Sequence, residues 1–272
     1  MSEASPELSN PRAPRAVAAR RLASRSFRAK QELFLAEGPQ AVREAAELDG
    51  VLVELFTTGE AADRYGEIVA AARKQGSKIT VATPDLVESL SETVTPQGLI
   101  GVCRFLDVPL ESFLAARSPK LVALLTHVRD PGNAGTVIRC ADAAGADLVV
   151  VTSESVDVYN PKAVRASAGS LFHVPVSVGV SAEQAVSALR AADLRILAAD
   201  GTGAADLDDE LDAGRLARPT CWMFGNEAWG LPEALLGLAD EAVRVPIHGR
   251  AESLNLATAA AVCLYSSARA QR

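Results

Sequence analysis

The stretch THVRDPGNAGTVIRCADAAGADLVVV, Thr126 to Val151, decides how this chain is read. An apolar run, LVALL from Leu121, leads into it and reads as a strand. A turn rich in Gly, Asn and Pro follows, then a helical pattern that ends at Gly145, then a second apolar run from Asp147 to Val151. That is a βαβ unit, and such units build parallel sheets. The glycines do not suit a dinucleotide. A pyrophosphate loop needs G-x-G-x-x-G to bring backbone amides onto the phosphates. Here the spacing is Gly132-x-x-Gly135, and Gly145 reads as a helix C-cap. Asn133 is placed to cap a helix over Ala134–Ala144. Arg139 then lies one turn above Gly135 and Thr136. Helical side chains lean toward the N-terminus, so Arg139 can reach back over the strand ends. Its bland alternative is an exposed ion pair with Asp142 at i+3.

Working outward, the 272 residues leave room for one large or two modest domains, and 49% hydrophobic content supports a sizeable core. The net charge of −7 gives no support for nucleic-acid binding, but its distribution does. Arg12 to Lys30 carries seven Arg/Lys and no acid, while acid concentrates elsewhere, as at Asp206, Asp208, Asp209, Glu210 and Asp212. Cys103, Cys140, Cys221 and Cys263 form no CxxC pair, and three histidines are too few to help build a zinc site. They read as buried free thiols. No apolar run is long enough to span a bilayer. The N-terminus lacks the apolar core of a secretory signal. A cytoplasmic protein with no metal and no membrane partner is the expectation.

Periodicity divides the chain into a disordered tail (1–14), a small α/β domain (15–106), a linker with some helix (107–119) and a larger α/β domain (120–272). Arg15–Lys30 is expected to be helical, either a solvated surface helix or an arm that contacts phosphates. Strands are expected near Phe34, at Val51–Thr57, Lys78–Val81 and Gly98–Phe105, with helices from Pro39, over Ala61–Gln75 and over Pro84–Leu90. From Lys120 the strand-helix alternation repeats five times, with strands at 121–125, 147–151, 195–199, 221–224 and 242–245. This predicts a mostly parallel sheet covered on both faces, with ligands at the C-terminal strand ends.

Two further loops fall at those ends. In CWMFGNEAWGLPEALL a buried strand runs into Gly225-Asn226-Glu227. Gly225 permits close backbone approach to a ligand. Glu227 is the acid nearest the sheet end, either a functional acid or a loop carboxylate satisfied by backbone amides. In VRVPIHGRAESLNLATAAAVCLYSSAR a strand ends near Val245-Pro246-Ile247, and Ser253 is placed to cap a long alanine-rich helix. Asn255 is an odd choice for a first helical turn.

Together, in this order, the three loops resemble the SpoU (TrmH-like) family of RNA ribose 2′-O-methyltransferases, of the SPOUT superfamily. The resemblance rests on NAGTVIR (Asn133–Arg139), FGNEAWGLP (Phe224–Pro232) and VPIHGRAESLNLATAAAV (Val245–Val262), and covers about 150 residues. SFRAKQELFLAEGPQAVREAAE, more weakly, resembles the small substrate-binding domain of members that act on ribosomal RNA. What the resemblance implies is a C-terminal SPOUT domain with a trefoil knot, S-adenosylmethionine as cofactor, and no metal. By position the cofactor would lie against Ala199, Asp200, Gly201, Thr202, Gly225, Asn226, Glu227, Val245, Ile247 and Leu254. Arg139, Asn133, Glu227, Ser253 and Asn255 would be the catalytic set. Arg139 would hold a phosphate by paired hydrogen bonds and stabilise the developing alkoxide, with Glu227 orienting it or its loop. A role as general base is open, though a guanidinium gives up its proton too reluctantly for that and positioning is favoured. Arg20, Arg21, Arg25, Arg28 and Lys30 would contact RNA. The substrate implied is 23S ribosomal RNA, with transfer RNA as runner-up, and the assembly a homodimer through the knotted domain. The rivals are a decayed, non-catalytic RNA-binding domain and a nicotinamide-dependent oxidoreductase; the second lacks its glycine fingerprint.

Overall fold

The structure, a computed structural model, describes residues 7–272; the first part of the expected tail, residues 1–6, lies outside them. The chain divides into two units. One comprises Met1–Leu106 with Tyr159–Phe172, the other Asp107–Val158 with His173–Arg272.

In the first unit α1 (Pro14–Arg21) and α2 (Arg25–Gln31) precede β1 (Leu33–Glu37), α3 (Pro39–Glu47), β2 (Leu52–Thr57), α4 (Gly59–Arg64), α5 (Gly66–Lys74), β3 (Lys78–Val81), α6 (Pro84–Leu90) and β4 (Leu99–Arg104). The sheet order is β1-β4-β2-β3; β4 runs antiparallel to both its neighbours, and β2 pairs parallel with β3. Leu35, Phe56, Ile100 and Val102 meet Ala16, Ala19 and Leu22 of α1 and Leu86 and Val87 of α6 in one apolar cluster. Burying each larger side chain contributes about 1.5–3 kcal/mol.

Three expectations change here. Residues 7–13 belong to the expected disordered tail, but Leu8 donates to Val81 O (2.8 Å) and accepts from Thr83 N (3.1 Å), which extends the edge beside β3. The helix expected over Arg15–Lys30 is two helices, turned at Leu22–Ser24. Arg28 drives that correction: it is buried, and its guanidinium donates to Leu22 O (2.7 Å) and Ala23 O (2.8 Å) at the corner. The helix expected over Ala61–Gln75 also breaks, at Tyr65 (φ −117°, ψ 41°), before Gly66 starts the next.

The second unit opens with α7 (Leu110–Ala116), β5 (Leu121–Leu125), α8 (Pro131–Ala144) and β6 (Leu148–Thr152). Next comes α9 (Pro161–Ser167), within the segment Tyr159–Phe172 that sequence position placed in the larger domain. It clusters instead with the first unit, where Phe34, Phe105, Tyr159 and Phe172 pack their rings together and Arg165 pairs with Glu37 (3.3 Å). The chain resumes with β7 (Val176–Val180), α10 (Ala182–Ala191), β8 (Arg195–Ala199), β9 (Ala205–Asp206), α11 (Leu207–Asp212), β10 (Thr220–Phe224), α12 (Glu233–Leu236), β11 (Glu241–Arg244) and α13 (Leu256–Ala270).

These strands form one parallel sheet, β7-β6-β5-β10-β8-β11-β9. It has seven strands where five were expected; β7 and β9 are the additions, one at each edge. Strands β5, β6 and β10 are buried along their whole length, which explains why they read as continuous apolar runs without alternation. On one face Cys221 and Met223 meet α7 and α10 through Phe113, Val186 and Leu189. On the other, Trp222 is fully buried and donates from Nε1 to Ser267 Oγ of α13 (2.8 Å). Cys103, Cys221 and Cys263 are buried free thiols, and burial pushes all three upward, Cys263 to about 12. Successive strands leave β5 toward β7 on one side, then resume at β8 on the other. This reversal opens a crevice at the C-terminal ends of β5, β10, β8 and β11.

Candidate active site

At the C-terminal ends of β5 and β10, Thr126 donates from both N (2.8 Å) and Oγ1 (3.0 Å) to Phe224 O and closes the two strands together. The loop beyond them ends in α8, whose N-cap is Asp130, not Asn133. Asp130 accepts from Asn133 N (2.8 Å), and Pro131 takes the first helical position. An acid before proline suits that position twice: the carboxylate satisfies an orphan N–H, and proline has none to satisfy. The Asp-Pro pair is the signal in the sequence that marks this cap. With the cap assigned to Asp130, the Asn133 side chain is free to act elsewhere.

It joins the other two loops. Phe224 runs into a hairpin closed by Asn226 N to Gly230 O (2.8 Å) and Gly230 N to Asn226 O (2.9 Å), with Asn226 Nδ2 donating to His127 O (3.0 Å). The hairpin presents Glu227 to the start of α8. There its carboxylate accepts from Arg129 N (3.3 Å), Asp130 N (3.2 Å) and Asn133 Nδ2 (3.1 Å). Of the two readings of Glu227, the amide-satisfied carboxylate is therefore present, and through it the acid orients the loop ahead of Arg139. Asn255, not Ser253, caps α13: its Oδ1 accepts from Ala257 N (2.9 Å) and Thr258 N (3.4 Å). Its Nδ2 donates to Asn133 Oδ1 (3.2 Å). The polarity of this relay is forced. Backbone donors consume Asn255 Oδ1, so Nδ2 must donate; Asn133 must accept at Oδ1 and give its own NH2 to the carboxylate. Asn255 looked odd inside a helix because it is the cap.

Arg139 is exposed, and among the described residues it takes part in no ion pair; Asp142, its partner in the bland alternative, pairs with His173 (2.9 Å). It does not line the cavity beside the relay.

That cavity holds about 660 Å³ and gathers the ends of β8, β10 and β11, the loop 249–254 and the first turns of α13. Ala199, Asp200, Gly201, Gly225, Asn226, Glu227, Val245, Ile247, Ser253 and Leu254 all line it. Thr202 does not; it donates from N (2.8 Å) and Oγ1 (2.5 Å) to Asp200 Oδ1 and shapes the turn. The sequence reading missed Phe224, Arg244 and Glu252 in the wall. Arg244 donates to Gly203 O and Ala204 O (both 3.1 Å) and pairs with Asp206 (3.1 Å), so part of the acidic stretch serves the cavity wall. Gly225 is required by the protein itself. A Cβ there would sit 2.5 Å from Gly230 O, so the close approach is to the returning hairpin. The volume lies within the range of small-molecule sites. Acids at Asp200, Glu227 and Glu252 suit a cation, and Val245, Ile247, Leu254 and Leu256 suit a flat heterocycle.

In the first unit the basic residues separate. Arg28 is withdrawn from the surface, as described above. Arg20 donates to Ser89 Oγ (2.9 Å) and Ser89 O (3.3 Å), and Arg21 lies 4.1 Å from the Phe27 ring centre. Arg25 and Lys30 are exposed. Among the described residues no group of three or more His, Cys, Asp or Glu is arranged to hold a metal, and no helix is long and apolar enough to cross a membrane.

Residues 120–265 match the SpoU rRNA Methylase family, and residues 14–101 match the MRM3-like substrate binding domain. The chain belongs to the SpoU rRNA methylase family. It is 33% identical over 90% of its length to the 23S rRNA (guanosine(2553)-2′-O)-methyltransferase RlmP of Bacillus subtilis, covering 92% of that protein. It is 34% identical to the 23S rRNA (uridine(2479)-2′-O)-methyltransferase of Streptomyces viridochromogenes, over 91% of this chain and 86% of that one. Among solved structures, an AdoMet-bound rRNA methyltransferase from Sinorhizobium meliloti superposes with a TM-score of 0.82 at 28% identity, covering 97% of both chains. The SpoU methyltransferase AviRb from Streptomyces viridochromogenes with AdoMet gives 0.80 at 31% identity, over 94% of this chain and 98% of that one.

Proposed function

We propose that this protein transfers the methyl group of S-adenosylmethionine to a ribose 2′-hydroxyl of 23S ribosomal RNA. One observation carries the reading. The Glu227–Asn133–Asn255 relay joins three loops beside a cavity of cofactor size while leaving Arg139 exposed and unpaired among the described residues.

When bound, S-adenosylmethionine supplies an electrophilic methyl group on a sulfonium sulfur. Ala199, Asp200, Gly201, Gly225, Asn226, Val245, Ile247 and Leu254 would hold it, with Thr202 supporting Asp200 from behind. Asp200 and Glu252 offer carboxylates to a positive ligand. Glu227 and Asn133 fix the N-terminal turn of α8 and so the helix that carries Arg139. Arg139 grips the phosphate beside the target ribose and stabilises negative charge growing on the 2′-oxygen. The 2′-hydroxyl gives up its proton to solvent as the new bond forms, and the guanidinium works through position and charge. Ser253 lines the cavity from the third loop, and Asn255 ties the start of α13 to Asn133. In the first unit Arg25 and Lys30 contact RNA phosphates. The reading also carries the C-terminal knot, a homodimer through that domain, and a place in the cytoplasm with the ribosome.

The test is transfer of labelled methyl from S-adenosylmethionine to 23S rRNA and tRNA transcripts, by wild type and Arg139→Ala side by side. Label at a ribose of 23S rRNA, lost in the variant, is the expected result. Label in tRNA alone reassigns the substrate. No label, together with no binding of S-adenosylmethionine, rejects the activity.

A further inference from the structure

The hairpin that presents Glu227 also carries an exposed tryptophan at its tip. Trp229 keeps 53% of its surface exposed, while the chain's other tryptophan, Trp222, is fully buried. An exposed aromatic ring gives up part of the gain of burial, so the position calls for a reason. Its neighbours Ala228 and Gly230 both line the cavity, which places Trp229 at the cavity's lip. The hairpin is stiff at its base, where Asn226 bonds to Gly230, to His127 and through its Oδ1 to Ala228 N (2.8 Å).

A second observation concerns the residue that faces it. His127 packs against Trp229 with ring centres 5.6 Å apart and planes at 70°, so the two rings do not cover each other face to face. The His127 backbone lies in the left-handed region (φ 55°), and its Nδ1 is buried with no hydrogen-bond partner among the described residues. Left-handed backbone disfavours a side chain other than glycine, and a buried unpaired nitrogen adds to that cost. Both costs fall on one residue, at the end of β5, beside the relay. Strain kept at such a place points to a ligand.

From this we infer that Trp229, held by His127, is a stacking platform for one unpaired nucleobase of the RNA at the methylation site. Unstacked bases are recognised by aromatic rings, and a base turned out of its stack would bring its own ribose toward the cavity lip. Trp229 is thus a specificity residue for RNA that makes no contact with the cofactor cavity through its ring. The inference rests on the proposed methyltransferase activity, and two readouts keep them separable.

The first readout is fluorescence. Trp222 is sealed in the core, so quenching of the wild-type signal by protein-free 23S rRNA reports Trp229. The second is steady-state methyl transfer to the same rRNA by wild type, Trp229→Ala and Trp229→Phe, with S-adenosylmethionine affinity measured for each. A stacked base contributes about 1–3 kcal/mol, so Trp229→Ala should raise the KM for rRNA roughly 5- to 150-fold. The affinity for S-adenosylmethionine should stay within about twofold, and the phenylalanine variant should recover most of the loss. An unchanged rRNA KM in Trp229→Ala, or absent quenching, overturns the platform. So does a parallel loss of cofactor binding, or a phenylalanine variant no better than alanine. A wild type that quenches with rRNA but transfers no methyl supports the platform and strikes only the activity.

Discussion

The basic arm of the first unit and the loop ahead of α8 are both short, polar and full of capping residues, yet they dispose of their polar groups in opposite ways. In the arm, Arg28 is buried on two carbonyls of its own turn, Arg20 is tied to Ser89, and Arg21 lies over Phe27. Charge that looked available for RNA is partly consumed by the local fold. Ahead of α8 the local demand is met by Asp130 and Pro131, so Asn133 serves residues 94 and 122 positions away, and Arg139 stays unpaired among the described residues. Asn133 is free to join the relay because Asp130 and Pro131 have satisfied the backbone beside it.

The largest expected effect comes from the least encumbered group. Arg139→Ala should cut methyl transfer to 23S rRNA about 10²–10³-fold, the size expected for one transition-state charge stabiliser. Its unfolding free energy should stay within about 0.5 kcal/mol of wild type, as at an exposed site without partners. A clear loss of stability in urea titration would mean that Arg139 has a structural partner and would erase the contrast with Arg28.

Arg28→Ala should show the reverse. It leaves the buried Leu22 O and the part-buried Ala23 O without their donor, at a cost of about 1–3 kcal/mol for the buried group left unsatisfied. Equilibrium denaturation reads this directly. A variant that folds as well as wild type but binds rRNA more weakly would return Arg28 to the RNA surface.

Asn255 separates the two uses of one side chain. Asn255→Ala should cost about 1 kcal/mol of stability through the lost cap. Asn255→Asp keeps the cap and removes the donor to Asn133, so its stability should match wild type while kcat falls. Equal activity of the aspartate variant and wild type would show the relay to be dispensable. Ser253→Ala should leave stability within about 0.5 kcal/mol, because Ser253 caps nothing.

The smallest effect belongs to the exposed remainder of the arm. Replacing Arg25 and Lys30 by alanine should weaken rRNA binding modestly and reduce the salt slope of log affinity by about 1 for each phosphate that the variant no longer neutralises. An unchanged slope would remove both residues from the interface.

Much of this was legible in the chain. Strands β5, β6, β8, β10 and β11 announced themselves because central parallel strands are apolar on both faces, and Gly145 and Gly76 marked helix ends through their positive φ. The edges were not legible. Strand β9 is two residues long, and β7 is interrupted at Gly179, so neither carries a period. Cap assignments slipped because Asp, Asn and Ser are all good caps, and the choice depends on which φ/ψ each adopts. Most of the residues named as cofactor contacts line one cavity, and motif order rather than chemistry singled them out; Thr202 was included because it is adjacent, though its side chain turns back on Asp200.

Sequence by itself determined the alternation of strand and helix, the division into a small and a large α/β region, and the three loops that carry the polar residues. Those follow from short-range physics: periodic burial, proline and glycine geometry, and the spacing of caps. Tertiary structure alone decided that Tyr159–Phe172 joins the first unit, that Arg28 is spent inside it, and that Asn133 links Glu227 to Asn255. Each depends on partners distant in sequence or on the turn between them, and a hydrogen bond or a buried charge takes its meaning only from the group it meets.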